Sequence, residues 1–507
     1  MDFWTTILSI LVFLLIIYYY SSLKYTQNVF QQHRIPHGKR ISILQEILDL
    51  FVFPKAYVDM IQTVYNIHQE AKYVGIFHLT GSFLMLRDVE VVKSVCKKNF
   101  DAFEDHFFFG DNVPDTLFAK HLIALRGDKW RNMRKLLSPA FTSCKLKMMF
   151  PLISNCAMNF SEFLANLPVE KRTMKLKNVF GWYSNDVIAS CMFGISVDSI
   201  RHPDNDFYVY GKIATDFNMY SLMKILLMQH APTLTHLLNI TVVKDPVRAF
   251  FIKMVAETIR MREERGITRP DVIQLMMENR DKQALSIEEM TSQVFSFYLG
   301  GFETGRTASS FMAYEIAMNP HIQMKLQQEI DQVLQDTNGQ PSYEAINRMA
   351  YLSAVINETL RIYPPTPMID RLCVKDFELP AALPDAKPYV VKKGIIIWIP
   401  FYSLHHDPKY FSEPEKFKPE RFLKSSEQNE CNLDAYYPFG VGPRICIGYR
   451  FALLQMKILL FHLLAHCELK TCKKTPIPLK LKKGGFLLKS ESDIWLEFVP
   501  RQKQHNY

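Results

Sequence analysis

The chain has 507 residues, of which 48% are hydrophobic and 22% charged. That is enough apolar material for a large buried core, and it excludes global disorder. The net charge of +9 comes without a dense basic tract, so a dedicated nucleic-acid binder is excluded; an anionic membrane surface, an acidic partner or a plain solvated surface all remain open.

At the N-terminus, residues 3–20 read FWTTILSILVFLLIIYYY, with no charge in 18 positions. The run is long enough for a spanning helix, and Tyr18, Tyr19 and Tyr20 suit the lipid interface. Lys24, Arg34, Lys39 and Arg40 follow it, so the positive-inside rule puts the remainder on the cytosolic face. A cleaved signal peptide fits less well, because there is no basic leader and no small-residue cleavage site. The expected organisation is an anchor over 1–23, a connector over 24–40 and one catalytic domain over 41–507. The sequons at Asn159, Asn239 and Asn357 should then be unused. Nine scattered cysteines with no C-x-x-C argue for a reducing compartment rather than a disulfide framework.

Residues 72–98 look strand-rich, with a turn at Thr80-Gly81. Helical patterns dominate from 130 to 362. One of them opens with a capping box, Ser286 to Glu289, and runs to Met318 before Asn319-Pro320. At 1.5 Å per residue, about 32 residues span ~48 Å, enough to cross a domain. Segment 219–240 is strongly apolar but broken at Pro232, and reads equally as buried core or as a second membrane-dipping surface. After residue 365 the chain turns loop- and strand-like, until a helix follows Cys446. The fold class is mainly α with a smaller β part (α+β).

FGVGPRICIG, Phe439 to Gly448, sets one cysteine among glycines, a proline and an arginine. Gly440, Gly442 and Gly448 allow close backbone approach to a flat group, Pro443 stiffens the loop, and Ile445 and Ile447 keep the sulfur dry. Arg444 offers a charge for a carboxylate, and the helix start beyond Gly448 favours a thiolate ligand at Cys446. For a lone cysteine, a core position after a turn would be the better reading. The combined pattern F-x-x-G-x-R-x-C-x-G instead resembles the haem-binding signature of the cytochrome P-450 monooxygenases, and the resemblance extends over most of the chain.

Further motifs fit it. Glu358-Thr-Leu-Arg361 is similar to the family's E-x-x-R, which implies that it packs with Arg421 of Pro419-Glu-Arg-Phe422 to hold the cysteine loop. Glu257-Thr-Ile-Arg260 has almost the same residues and reads as a solvated face. Gly300-Gly-Phe-Glu-Thr-Gly305 places costly glycines inside a helix, where they would let it pass close over a cofactor, and Thr304 is expected to bond the Gly300 carbonyl and open the helix locally. The acid–alcohol pair Glu303 and Thr304 resembles the oxygen-activation motif, with Gly300 where the family usually has Ala. Trp130-x-x-x-Arg134 and Arg371 look similar to the family's propionate partners, alongside Arg444. By position, Phe107, Phe108, Phe109, Phe297, Tyr298, Thr366, Met368, Ile369 and Phe486 would line an apolar substrate pocket. His462, His466, Cys467 and Cys472 have spacings that zinc can use, but core histidines are the simpler reading.

The resemblance implies haem b (iron protoporphyrin IX) ligated by Cys446, and insertion of one oxygen atom from O2 into hydrophobic small molecules. Without a G-x-G-x-x-G or flavin motif, electrons would come from NADPH through a membrane-bound flavoprotein reductase, with Lys129, Arg131, Lys135 and Lys145 as a docking face. The location implied is the endoplasmic reticulum membrane. PPTPMIDRLC and FGVGPRICIG look most like insect microsomal enzymes related to vertebrate drug-metabolising forms, which suggests xenobiotic substrates. The alternatives are an endogenous lipid or hormone hydroxylase, a haem-thiolate isomerase or dehydratase, and a non-catalytic haem or lipid carrier. The isomerase branch tends to lose the pair that Glu303 and Thr304 keep.

Overall fold

Residues 395–399 are apolar at every position, the pattern of a strand covered on both faces. In the computed structural model this run forms the buried strand Ile396–Ile399. The structure describes residues 20, 23–39, 57–78, 81–107, 113, 115–216, 219–280, 285–423, 431–483 and 487–501. Apart from Tyr20, the expected anchor over 3–20 lies outside the described residues, as do Phe108, Phe109 and Phe486. Among the described residues no helix is long and apolar enough to cross a membrane. The chain divides into two compact units. Unit 1 contains Met1–Phe107, Met368–Leu404 and Val441–Arg444; unit 2 contains Phe108–Pro367, His405–Gly440 and Ile445–Tyr507.

The strands are β1 (Tyr73–His78), β2 (Gly81–Leu86), β3 (Thr173–Lys175), β4 (Ile369–Leu372), β5 (Phe377–Leu379), β6 (Tyr389–Val391), β7 (Ile396–Ile399), β8 (Cys467–Thr471) and β9 (Trp495–Pro500). Unit 1 is built on a sheet of order β1-β2-β7-β4. There β7 is central, parallel to β2 (Phe83 opposite Ile396) and antiparallel to β4 (Arg371 opposite Ile397). The strand-rich expectation for 72–98 holds only as far as Leu86. Residues 89–93 are helical and 94–98 form a wide helical turn. Asp88 accounts for the change, because its carboxylate caps the N–H groups of Glu90 and Val91.

Unit 2 is largely helical. Its frame comprises α1 (Gly127–Leu137), α2 (Ser143–Ala165), α3 (Leu176–Ile188), α4 (Asp245–Arg265), α5 (Ile287–Met318), α6 (Pro320–Asp336), α7 (Ala350–Ile362) and α8 (Tyr449–His466), with a small sheet of order β3-β9-β8. Helix α5 is the beam. The predicted capping box starts it: Ser286 Oγ accepts the Glu289 N–H at 3.1 Å, and the Glu289 carboxylate accepts the Ser286 N–H at 3.0 Å. It runs the predicted 32 residues to Met318. Pro320 then takes the first position of α6, where its missing N–H costs nothing.

Helix α8 packs along α2. His462 on α8 bonds Ser154 of α2 at 2.9 Å, and burial pushes its pKa down to about 4. His466 bonds the His462 carbonyl at 2.8 Å. Both histidines are engaged within this packing, and among the described residues no group of three or more His, Cys, Asp or Glu gathers as a metal site would need. Segment 219–240 breaks at Pro232 as expected, into helices Met219–His230 and Pro232–Leu237. Ile225 and Met228 are buried, while Tyr220, Met223, Leu234, Leu237 and Leu238 are exposed, Leu237 to 81%.

Replacing Ser286 by Ala removes one arm of the box and should lower stability by about 1 kcal/mol, read as a drop in the thermal midpoint with unchanged helix content. An unchanged midpoint would mean that packing alone starts α5.

Candidate functional site

In unit 2, Glu358 on α7 is fully buried, and so is Arg361 one turn on. Arg361 Nε donates to Glu358 Oε2 at 2.8 Å, and its Nη2 donates to Oε1 at 2.9 Å. Arg421, from the short 3-10 turn Pro419–Phe422, donates from Nε to the same Oε1 at 3.1 Å, and the Lys418 N–H adds a bond at 2.9 Å. These contacts bring together the three residues expected to act as one support. The look-alike copy behaves differently. Glu257 faces Lys253 at 3.9 Å and Arg260 faces Glu264 at 3.9 Å, all on the exposed side of α4.

The Cys446 segment leads into α8. The Phe439 carbonyl accepts the Cys446 N–H at 2.9 Å, and Gly440 takes a positive φ of 85° that only glycine adopts without penalty. The Cys446 side chain is open to solvent on one side. Elsewhere protein packs closely enough to push the thiol pKa up, opposed by the Gly448 N–H and the charge of Arg134. Arg134 is half-buried on α1, one turn beyond the buried Trp130.

On α5 the three glycines separate by role. A Cβ on Gly301 would come within 3.1 Å of Ile188, and one on Gly305 within 3.4 Å of Ser184, so these two let α3 approach. Gly300 alone of the three has nothing within 4 Å of such a carbon and is exposed. The expectation that all three clear space for a cofactor is therefore corrected to one. Thr304 is half-buried beside it and donates its hydroxyl to the Gly300 carbonyl. The helix is continuous there, contrary to the expected local opening. A carbonyl oxygen has two lone pairs and can serve both the hydroxyl and the helix.

Glu303 is buried and ion-paired to Arg306 on its own helix and to Lys489 at 2.7 Å. Burial raises its pKa, but the charges of Arg306 and Lys489, helped by Lys177, outweigh it and hold the carboxyl below its ordinary range. Tyr298 belongs to the core rather than to a pocket wall. It is fully buried, its hydroxyl donates to Asn185 at 2.8 Å, and its ring stacks on Phe302. Phe297, one position earlier, is half-buried and meets Phe141 edge-on at 5.2 Å. Thr366 is half-buried. A separate cleft of about 910 Å³ is lined by Lys120, Lys129, Lys135, Leu136 and Glu289; neither Cys446 nor Thr304 borders it.

Unit 1 carries its own polar cluster. Arg371 is fully buried in β4, and its Nε and Nη2 have no hydrogen-bond partner among the described residues. Its Nη1 donates to the Asp370 carbonyl at 2.9 Å and lies 3.4 Å from the His106 ring. Asp370 bonds His106 at 3.2 Å and the Phe107 N–H. Arg444 donates to the Glu104 carbonyl at 2.7 Å and pairs with Asp105 at 3.3 Å. Gly442 has a φ of 79°, and any Cβ there would collide with the Cys96 carbonyl. Met368 is buried, and Ile369 and Phe107 are half-buried.

The sequence pattern of the family described as Cytochrome P450 matches residues 41–496. The chain belongs to the cytochrome P450 family. It is 38% identical over 514 residues to cytochrome P450 9e2 of Blattella germanica, covering 95% of each chain. It is 37% identical over 514 residues to cytochrome P450 3A7 of Homo sapiens, with 98% of this chain and 97% of the relative covered. Probable cytochrome P450 9f2 of Drosophila melanogaster is 34% identical over 497 residues, with 94% and 95% covered. Membership implies a haem-iron monooxygenase. Residues of this P450 suit that group in each unit separately. The open side of Cys446 offers a sulfur, Gly300 leaves a clear surface, and the two unsatisfied donors of Arg371 ask for an anion.

Lys489, His106 and Asp370 did not stand out in the sequence. Arg306 had a signal, its i,i+3 spacing to Glu303. With its depressed pKa, Glu303 stabilises the fold above its ordinary value of 4.5, and this contribution is lost as pH falls through the lower, folded value. Lys489→Met should raise that folded value, so acid destabilisation begins at a higher pH than in the unsubstituted protein. Coincident acid-unfolding curves would show that Arg306 and Lys177 keep Glu303 charged without Lys489.

Proposed function

We propose that this P450 is a membrane-bound haem-thiolate enzyme that inserts one oxygen atom of O2 into hydrophobic small molecules, xenobiotics above all, using electrons from NADPH delivered by a flavoprotein reductase. The reading rests chiefly on Cys446, an accessible thiol at the head of α8 with the Gly448 N–H and the Arg134 charge beside it. Those neighbours favour the thiolate, as does the helix N-terminus. When bound, the haem supplies O2 binding and O–O cleavage, which a thiolate ligand promotes.

The other roles belong to the chain. Trp130, Arg134, Arg371 and Arg444 would take the haem propionates. Arg371 has two donors to give, and Arg444 would do so while bonded to Glu104 and Asp105. Phe439, Gly442 and Gly448 shape the backbone around the sulfur. Glu358, Arg361 and Arg421 hold that backbone in place. The Thr304 hydroxyl, on the open side of α5, would orient water for proton delivery. Glu303 would relay protons rather than store one: exchanging an ion pair for water, its carboxylate would accept a proton from solvent and pass it on. Phe107, Phe297, Thr366, Met368 and Ile369, with Phe108 and Phe486, would form an apolar pocket. Residues 41–507 would act as one catalytic domain.

The exposed Tyr220, Met223, Leu234, Leu237 and Leu238 support membrane contact beyond the N-terminal run, since an apolar face of this kind favours the lipid interface. The location proposed is the endoplasmic reticulum, with the body on the cytosolic side. Lys129, Arg131, Lys135 and Lys145 offer a reductase a basic face. A haem-thiolate isomerase would have no use for the Glu303–Thr304 pair.

Three experiments test the reading. Cys446→Ala should abolish the thiolate-type Soret band of the reduced carbon-monoxide complex, while Thr304→Ala should keep that band and divert reducing equivalents to peroxide. A persisting band in the first variant, or unchanged coupling in the second, removes the corresponding role. In protein lacking residues 1–24, Leu237→Glu combined with Leu238→Glu should weaken vesicle binding by on the order of tenfold or more. Equal binding would show that this face is not lipid-bound.

A further inference from the structure

His405 is fully buried, and its ring has two polar partners. Nε2 lies 2.9 Å from the backbone N–H of Tyr437. A backbone N–H can only donate, so Nε2 carries the lone pair and the ring proton is on Nδ1. Nδ1 lies 3.1 Å from the Arg361 carbonyl, which can only accept. The two partners therefore select one neutral tautomer. The backbone carbonyl of His405 accepts a third bond, from Arg361 Nη1 at 2.8 Å.

Both ends of this link matter. Arg361 is the residue that grips Glu358 with two bonds. Tyr437 opens the loop that ends at Cys446: its carbonyl accepts the Gly440 N–H at 3.1 Å, and Phe439 accepts the Cys446 N–H at 2.9 Å. The neighbouring Tyr436 also reaches α7, donating its hydroxyl to the Asn357 carbonyl at 3.0 Å. The loop base is thus pinned to α7 at two successive residues, and His405 makes the pin that involves the Glu358 pair.

We propose that His405 is a positioning residue, which as the Nδ1–H tautomer ties the Glu358–Arg361 pair to the backbone at Tyr437 and so aims the Cys446 sulfur. This rests on the reading of Cys446 as the haem ligand. The ring is kept neutral first by burial and then by the charges of His406 and Arg361, which hold its pKa well below the ordinary histidine value. A protonated ring would have to turn an N–H toward the N–H of Tyr437. The ring also packs against Tyr436 at 5.4 Å and Phe411 at 6.1 Å, so its volume and its hydrogen bonds need separate tests.

The test uses full-length, haem-loaded protein. His405→Phe keeps the volume and loses both side-chain bonds, whereas His405→Asn keeps a donor and an acceptor. The readout is the lifetime of the thiolate-type Soret band of the reduced carbon-monoxide complex, with haem content measured alongside. The Phe variant should lose that band on the order of tenfold faster than the unsubstituted protein, because a buried N–H is left unpaired, and the Asn variant should recover most of the lifetime. An unchanged lifetime in the Phe variant, or equal loss in both variants, would overturn the proposal. If the Phe variant does not load haem, amide exchange in the unsubstituted protein decides. Tyr437 should be protected to a degree comparable with Cys446, and exchange at the free-peptide rate would overturn the link. A missing thiolate band in the unsubstituted protein would instead remove the Cys446 assignment itself, so the two failures are distinguishable.

Discussion

A carboxylate with no access to water, held between two guanidinium groups, is the constraint on which unit 2 depends. Taking such ions out of water costs several kcal/mol each, and the mutual attraction repays it only when geometry and hydrogen bonding are nearly complete. Around Glu358 they are. One oxygen receives Arg361, Arg421 and the Lys418 N–H, and the other receives Arg361. The remaining N–H groups of the arginines go to the carbonyls of His405, Ser412, Glu413 and Lys416. An apolar cluster of the same volume would give comparable stability, so stability alone does not explain the arrangement. What the ions add is direction. Each fixes a particular backbone carbonyl or amide in a connection that has little regular secondary structure of its own.

Glu303 is the instructive contrast. It also has an arginine three residues on and is also buried, yet it does not build a frame. Its second cation is Lys489, whose side chain is 29% exposed, and among the described residues no backbone amide completes its shell as Lys418 does for Glu358. A flexible ammonium near water can be exchanged for solvent far more easily than a rigid guanidinium fork. Two buried glutamates with the same local spacing thus divide into a fixed support and a group with a route to water. The difference lies in the partner supplied from far along the chain.

That distinction marks what was legible in the sequence. The start, length and end of α5 could be read, because capping boxes and prolines act locally. The break at Pro232 and the start of α8 were equally plain. The two E-T-x-R copies could be ranked by their apolar neighbours, and the buried copy is the one expected. Glycines gave less. Gly300, Gly301 and Gly305 look alike in sequence, but Gly301 and Gly305 lie against a neighbouring helix while Gly300 faces open space. Tyr298 and Phe297 could not be told apart either, since a helix with apolar residues on most of its circumference does not reveal which face is core. His405 went unnoticed beside His406, because its role lies in one backbone amide that no residue pattern encodes.

Helix α5 joins these observations. Most of its surface is committed. Tyr298 and Phe302 stack within the core, Phe295 packs on Phe251, Ser292 bonds the Leu117 carbonyl at 2.8 Å, and Gly301 and Gly305 lie close to α3. Moving any of these opens a cavity or strands a polar group, each costing roughly 1–5 kcal/mol. The uncommitted strip around Gly300 and Thr304 is therefore held still by everything behind it. A rigid strip suits chemistry common to every substrate, but it cannot change shape from one substrate to the next. In the function proposed above, selectivity would then come from less committed positions such as Phe297 and Thr366, and the same core that holds the Thr304 strip would leave the choice of substrate to side chains outside it.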